Sequence, residues 1–429
     1  MADARGPVTG TASAPGHESA SDNPCQYTPA SVDLRYSDSD EAFRHELRSW
    51  LVEVLPTLPS EPALDDWAGR RAYDTHWQRL LYDAGYAGIN WPKAFGGLGA
   101  SPSEHLVFLE ETERARAPYV GVNFVGLLHA GPTLIAEASD EQRLRHLPAI
   151  LKGDEVWCQG FSEPSAGSDL ASLRTRAMRD GDDYVISGQK IWTSHAEVAD
   201  FCEMLVRTDS EAPKHRGISW LIMPMDLPGI DVRPLRTISG TSEFSEVFLD
   251  DVRVPVANRV GAENDGWRVA MVTFSFERGT AFVSELLESI EQLREVADLA
   301  RLAINGSSPA WEDAGIRREI GHLSGEFDAL WALTKRTISQ AARTGVPGTG
   351  GSVFKLAYSE ARQRLGDLSM RLLDRASLSL DDLDGLDGVR SGKLVHDRLR
   401  SMALTIAAGT SQIQRNILAE RVLGLPKER

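Results

Sequence analysis

Gly160-Phe161-Ser162-Glu163-Pro164-Ser165-Ala166-Gly167-Ser168-Asp169 is a turn-forming stretch rich in small residues, and Gly188-Gln189-Lys190-Ile191-Trp192-Thr193-Ser194 follows it. Small residues let a backbone approach a flat ring closely, and a hydroxyl such as that of Ser162 can donate to a ring oxygen as the ring gains negative charge. Alone, the first segment reads as a Ser/Gly-rich loop and Trp192 as a core residue.

Around these segments the hydrophobic period changes. Tyr184-Val185-Ile186, Phe201 to Val206, Ile218 to Met223 and Glu246 to Leu249 are short β-branched or aromatic runs between turn residues, which predicts a β module over 154–265. Before it, Phe43, Leu47, Trp50, Leu51 and Val54 recur at helical spacing from Asp40 to Leu55. Further helices are expected over Tyr73 to Gly85, near Ser103 to Ala117, and within Asn123 to Leu151, giving a helical region over 38–153. From Gly266 helices return and run to Pro426, with loops expected near Asn305 to Pro309, Gly345 to Gly351 and Asp381 to Gly392. The fold class is therefore mostly α with a central β module. A dinucleotide-binding chain would alternate strands and helices and carry G-x-G-x-x-G, which is absent. Gly388 to Lys393 is one residue short of a phosphate loop and is followed by Leu394.

Bulk properties narrow the partners. With 429 residues the chain exceeds one small domain, and a net charge of −16 opposes a nucleic-acid surface or a polybasic membrane contact. Cys25, Cys158 and Cys202 are too scattered for a disulfide framework or a metal site, which fits a reducing cytoplasm. Residues 1–37 are rich in Ala, Ser, Gly and Pro, without an apolar core of a leader, and read as a disordered tail. No stretch is long and apolar enough to span a membrane.

These segments resemble the signatures of the acyl-CoA dehydrogenases. Trp91 to Gly97, Gly240 to Phe244, Val247 to Pro255 and Ala407-Ala408-Gly409-Thr410-Ser411-Gln412-Ile413-Gln414-Arg415-Asn416-Ile417 add to the likeness, in the family's order, from residue 38 to Pro426. The resemblance implies an N-terminal helical domain, a middle β-barrel or sandwich domain, and a C-terminal four-helix-bundle domain over 266–429. It implies FAD, with Phe161, Ser162, Trp192, Ser194, Ala408, Thr410 and Gln412 as cofactor contacts. It also implies that Ser168, Arg278 and the backbone of Ala408 meet an acyl-CoA or acyl-carrier-protein thioester. A hydride would leave the β carbon for flavin N5, and electrons would pass to an electron-transfer flavoprotein. A homodimer or homotetramer is expected.

The sequence departs from the commonest pattern at its last signature, where many members carry the catalytic Glu at the position of Ala408. A smaller set, including isovaleryl-CoA and long-chain acyl-CoA dehydrogenases, carries it before an Arg early in the third domain. Glu277-Arg278 falls there, between apolar neighbours that would desolvate the carboxylate and raise its pKa. Ser275 replaces the family's Asp, and Leu373 to Ser377 lacks the Gly-rich segment that reaches a neighbouring subunit's FAD. Three alternatives stay open: an oxygen-using oxidase or hydroxylase of the same fold, a carrier-protein-linked dehydrogenase, and a non-catalytic partner subunit.

Overall fold

The computed structural model describes residues 35–280, 282–344, 350–383, 386 and 388–427, and the side chains of 276–280, 305 and 341–344 lie outside that description. Most of the expected tail, residues 1–34, is outside it too. Tyr36 and Ser37 are inside and are seated: the Tyr36 hydroxyl donates to Glu110 at 2.8 Å, and Ser37 forms a capping box with Asp40.

Five α-helices build the first region: α1 (Asp38–Val54), α2 (Trp67–Asp83), α3 (Pro102–Arg114), α4 (Gly131–Glu137) and α5 (Asp140–Lys152). Helix α1 starts at the Ser37 cap and buries Leu47, Leu51 and Val54, spaced one turn apart. Each such burial contributes about 1.5–3 kcal/mol. Helix α2 begins earlier than its apolar spacing indicates, because Asp66 caps it by accepting from Gly69 N at 2.9 Å. Between α2 and α3, Trp91 is buried and its indole donates to Leu127 O at 3.1 Å. Gly131 makes room for it: a Cβ there would lie 2.1 Å from the Trp91 ring.

One sheet follows, from β1 (Trp157–Gly160), β2 (Arg176–Asp180), β3 (Asp183–Ser194), β4 (Phe201–Arg207), β5 (Ile218–Pro224), β6 (Ile230–Leu235), β7 (Phe244–Pro255) and β8 (Arg259–Val260). Its order is β6-β7-β3-β2-β4-β5-β8, with β1 parallel to β4 off that path. Strand β7 lies inside the sheet between β6 and β3. One face, with Tyr184, Ile186, Met204 and Val247, encloses its own core. Trp157, Phe161, Leu205 and Trp220 join the core of the first helices instead, together with Val269 and Ala270 of α6 (Gly266–Thr280). Helix α6 is thus built into the seam between the helical region and the sheet.

The last core is formed by α7 (Val283–Leu302), α8 (Ala314–Thr344), α9 (Gly350–Leu373) and α10 (Ser391–Ser401), around Leu286, Phe327, Tyr358 and Leu365. Helix α11 (Ser411–Ile417) packs on α9. The expected order of helices, sheet and helices is the architecture found. Two expected loops differ: Ile304–Asn305 and Ser308–Pro309 pair as a short hairpin, and Gly350 and Gly351 start α9, while residues 345–349 lie outside the described residues.

Candidate active site

Strand β3 carries the Trp192 segment to the seam. Its register against β7 shifts between Lys190 and Thr193, and Trp192 takes φ 61° at that irregularity. A left-handed conformation at a bulky residue is strained, and bulges re-aim side chains next to active sites. Here the indole is 57% exposed, with Phe244 against its edge at 5.9 Å. Thr193 and Ser194 return to the ladder opposite Ser245 and Phe244. The Thr193 hydroxyl is buried and meets no partner among the described residues. His195 is left-handed as well, packs on Trp67 at 5.1 Å, and is pushed down to about 4 by burial. It is neutral at physiological pH, in keeping with a structural role.

The 160–169 segment is fastened to that strand from behind. Ile191 N donates to Ser162 O at 3.0 Å. Lys190, fully buried, donates through Nζ to Glu163 Oε1 at 2.8 Å and to Phe161 O at 3.2 Å. The Glu163 carboxylate also accepts from Arg174 N at 2.6 Å and Thr175 N at 2.8 Å. Burial works against its ionisation, but Lys190 and these donors outweigh it and hold the carboxyl below its ordinary range. Burial likewise lowers Lys190, opposed by Glu163. Phe161 buries its ring edge-on to Phe274 at 5.8 Å, so only its backbone is available to a ligand on the segment's outer side. Ser162 is half-buried and Ser168 exposed.

Across the seam, Thr273 of α6 is buried and shares a hydrogen bond with Thr133 at 2.9 Å. Position 277 lies one turn beyond Thr273 and Phe274, on the same helical face. The side chains of Glu277 and Arg278 themselves are outside the described residues. Ser275 is exposed and donates back to Val272 O at 2.7 Å. The C-terminal signature forms a turn rather than a continuous helix: Ala408 is exposed at φ 50°, Gly409 follows at φ 84°, and Thr410 caps α11 by accepting from Ile413 N. Gln412 is exposed. Ser411 has a buried hydroxyl with no partner among the described residues.

Three groups near this seam carried no role in the sequence reading. Glu163 and Lys190 were quoted without one; their signal is opposite charges inside otherwise small or apolar motifs. Glu285, in the first turn of α7, has a buried oxygen without a hydrogen-bond partner among the described residues, and burial raises its pKa to about 7 against the opposing pull of Arg400. An acidic residue in a helix's first turn is too common for sequence to single it out.

A flat cofactor fits these observations, since a strained indole is held with its surface exposed and two hydroxyls within the signatures lack partners among the described residues. Comparison with known families decides the relationship. Residues 37–154, 158–252 and 264–423 match the models of the acyl-CoA dehydrogenase N-terminal, middle and C-terminal domains. The chain belongs to the acyl-CoA dehydrogenase family. It is an oxidoreductase acting on acyl-CoA, in a family whose cofactor is FAD.

Among relatives of this acyl-CoA dehydrogenase, acyl-CoA dehydrogenase IpdE1 of Mycobacterium tuberculosis is 40% identical over 395 residues, covering 90% of this chain and 98% of that protein. Acyl-CoA dehydrogenase FadE26 of the same organism is 34% identical, covering 92% and 99%. Two solved structures superpose with TM-score 0.79: one described as the Tcur3481-Tcur3483 steroid ACAD, 31% identical, and the ChsE4-ChsE5 complex from Mycobacterium tuberculosis, 33% identical. Each covers 92% of this chain and 100% of the compared one. No helix among the described residues is long and apolar enough to cross a membrane.

Proposed function

We propose that this enzyme removes the α proton of an acyl-CoA thioester through Glu277 and yields the trans-2-enoyl thioester. The observation that carries the reading is a substitution paired with a position. Ala408 leaves the last signature without its acid, while position 277 continues the face of α6 that packs Phe274 on the flavin-facing segment. A carboxylate there is flanked by apolar residues, which favours a raised pKa and a base that works near neutrality. Ala408 N–H donates to the thioester oxygen and polarises the carbonyl, a task that needs no side chain. Phe161 through its backbone, Ser162, Trp192, Ser194, Thr410 and Gln412 hold FAD, and Ser168 and Arg278 steady the substrate. Bound FAD supplies the acceptor for the hydride that leaves the β carbon.

The likeness to a structure described as a steroid ACAD supports a bulky ring-bearing acyl group over a straight chain. An electron-transfer flavoprotein is the acceptor in this reading, and the free buried thiols of Cys158 and Cys202 suit the cytoplasm. The test is anaerobic bleaching of the flavin by a panel of straight-chain, branched and ring-bearing acyl-CoAs, with a carrier-protein thioester beside them. Bleaching by ring-bearing acyl-CoAs supports the proposal, and bleaching by none of the panel refutes it. Rapid reoxidation in air with peroxide formed would favour an oxidase.

A second reading concerns assembly. Two similar structures are complexes named for two chains, and Leu373 to Ser377 lacks the Gly-rich segment, which supports pairing with a homologous second chain rather than a homo-oligomer. Native mass and FAD content, measured with and without co-expressed homologues, separate the two.

A further inference from the structure

Lys355 in α9 is only 5% exposed, yet its ammonium meets no carboxylate among the described residues. It donates instead to two backbone carbonyls, Leu404 O at 2.7 Å and Gly409 O at 2.8 Å. Burying a charge against dipoles alone is unfavourable, and burial lowers its pKa to about 8. The two carbonyls are the ends of one loop. Between them Ile406 N and Ala407 N both turn back to Ala403 O, and Gln414 Nε2 holds Ala408 O at 3.1 Å. Ala408, exposed at φ 50°, is the next residue along, and its N–H meets no backbone acceptor among the described residues. A left-handed alanine followed by a left-handed glycine persists only where its surroundings impose it.

We propose that Lys355 is a positioning residue for thioester polarisation: by tying Leu404 O to Gly409 O it fixes the turn in which Ala408 aims its N–H at the substrate carbonyl. The inference rests on the reading of Ala408 N–H as the carbonyl donor. As the α proton leaves, negative charge grows on the thioester oxygen. A donor aimed beforehand stabilises that charge without reorganising. Lys355 touches neither substrate nor reacting atoms; it sets the direction of the group that does.

The experiment compares wild type, Lys355→Met and Lys355→Gln, each purified with its FAD and any partner chain. Wild type is first required to bleach with one acyl-CoA of the panel; if it does not, the functional reading fails before Lys355 is examined. With that substrate, Lys355→Met is expected to keep FAD and a KM near wild type while kcat falls about 10- to 100-fold, below the full loss of one oxyanion donor. Isotope-edited infrared spectra of the bound enoyl-thioester carbonyl provide the second readout. Wild type shifts the stretch to lower frequency, and Lys355→Met loses most of that shift. An FAD-loaded Lys355→Met with unchanged kcat and carbonyl shift overturns the proposal. Should Lys355→Met fail to fold, Lys355→Gln decides: its shorter side chain cannot span to both carbonyls, so a wild-type carbonyl shift in that variant is equally fatal.

Discussion

Lys190 and Lys355 are both buried lysines, and they are satisfied in different ways. Lys190 backs the segments proposed to face the flavin and meets Glu163, whose carboxylate is further filled by two backbone donors. Lys355 backs the turn proposed to face the thioester and, among the described residues, meets only carbonyls. A buried pair with its remaining atoms bonded resists disruption because removing one partner strands the other's charge. An ammonium among dipoles lacks that protection, and the turn it holds contains strained backbone. The comparison teaches that the 160–169 and 188–194 segments are fastened by complementary charge, whereas the Ala408 turn is held in place at a standing cost in stability.

The largest expected effect on folding comes from breaking the pair. Glu163→Gln should lower the unfolding free energy by about 3–5 kcal/mol in urea titrations, and adding Lys190→Met should cost less than the sum of the two single changes. A loss below about 1 kcal/mol in the single variant would erase the contrast between the lysines. Lys355→Met should cost less, about 1–3 kcal/mol, since orphaning two carbonyls is partly offset by removing an unpaired charge. The same titrations measure it.

The pH dependence separates the lysines further. Lys355 is depressed to about 8 in the folded protein, so between that pH and about 10.4 the unfolded chain holds a proton that the folded one has lost. Its contribution to stability therefore rises with pH across this window. Melting temperatures of wild type should gain on those of Lys355→Met from pH 8 upward. Glu163 has the same sign in an acid window: its carboxyl is held low, so its contribution is complete above about pH 4.3 and fades as pH falls through the folded value. Wild type and Glu163→Gln should converge in acid. The smallest change calibrates the series: Ser37→Ala removes the α1 cap and should cost about 1 kcal/mol in the same melts.

Much of this was legible in the sequence. The order of helices, sheet and helices followed from the change of period after Gly153, and Glu277 stood out only because Ala408 occupies the usual acid's place. The start of α2 was missed because Asp66, a capping residue, lies outside the apolar periodicity. The place of β7 inside the sheet could not be read, since pairing order leaves no mark on a strand's own alternation. The strain at Trp192 and Ala408 was equally invisible, because neither residue type favours positive φ and tertiary packing imposes it. Lys355, within Val353-Phe354-Lys355-Leu356, resembles any lysine snorkelling from a helix until its two carbonyl partners are located.

The central claim, that α6 supplies the base, is tested most directly by rapid anaerobic mixing of wild type and Glu277→Gln with the best acyl-CoA substrate. Bleaching of the flavin band should slow about 10²- to 10⁴-fold in the variant while its FAD content stays at the wild-type level. Bleaching at the wild-type rate would contradict the account and require another group to take the proton.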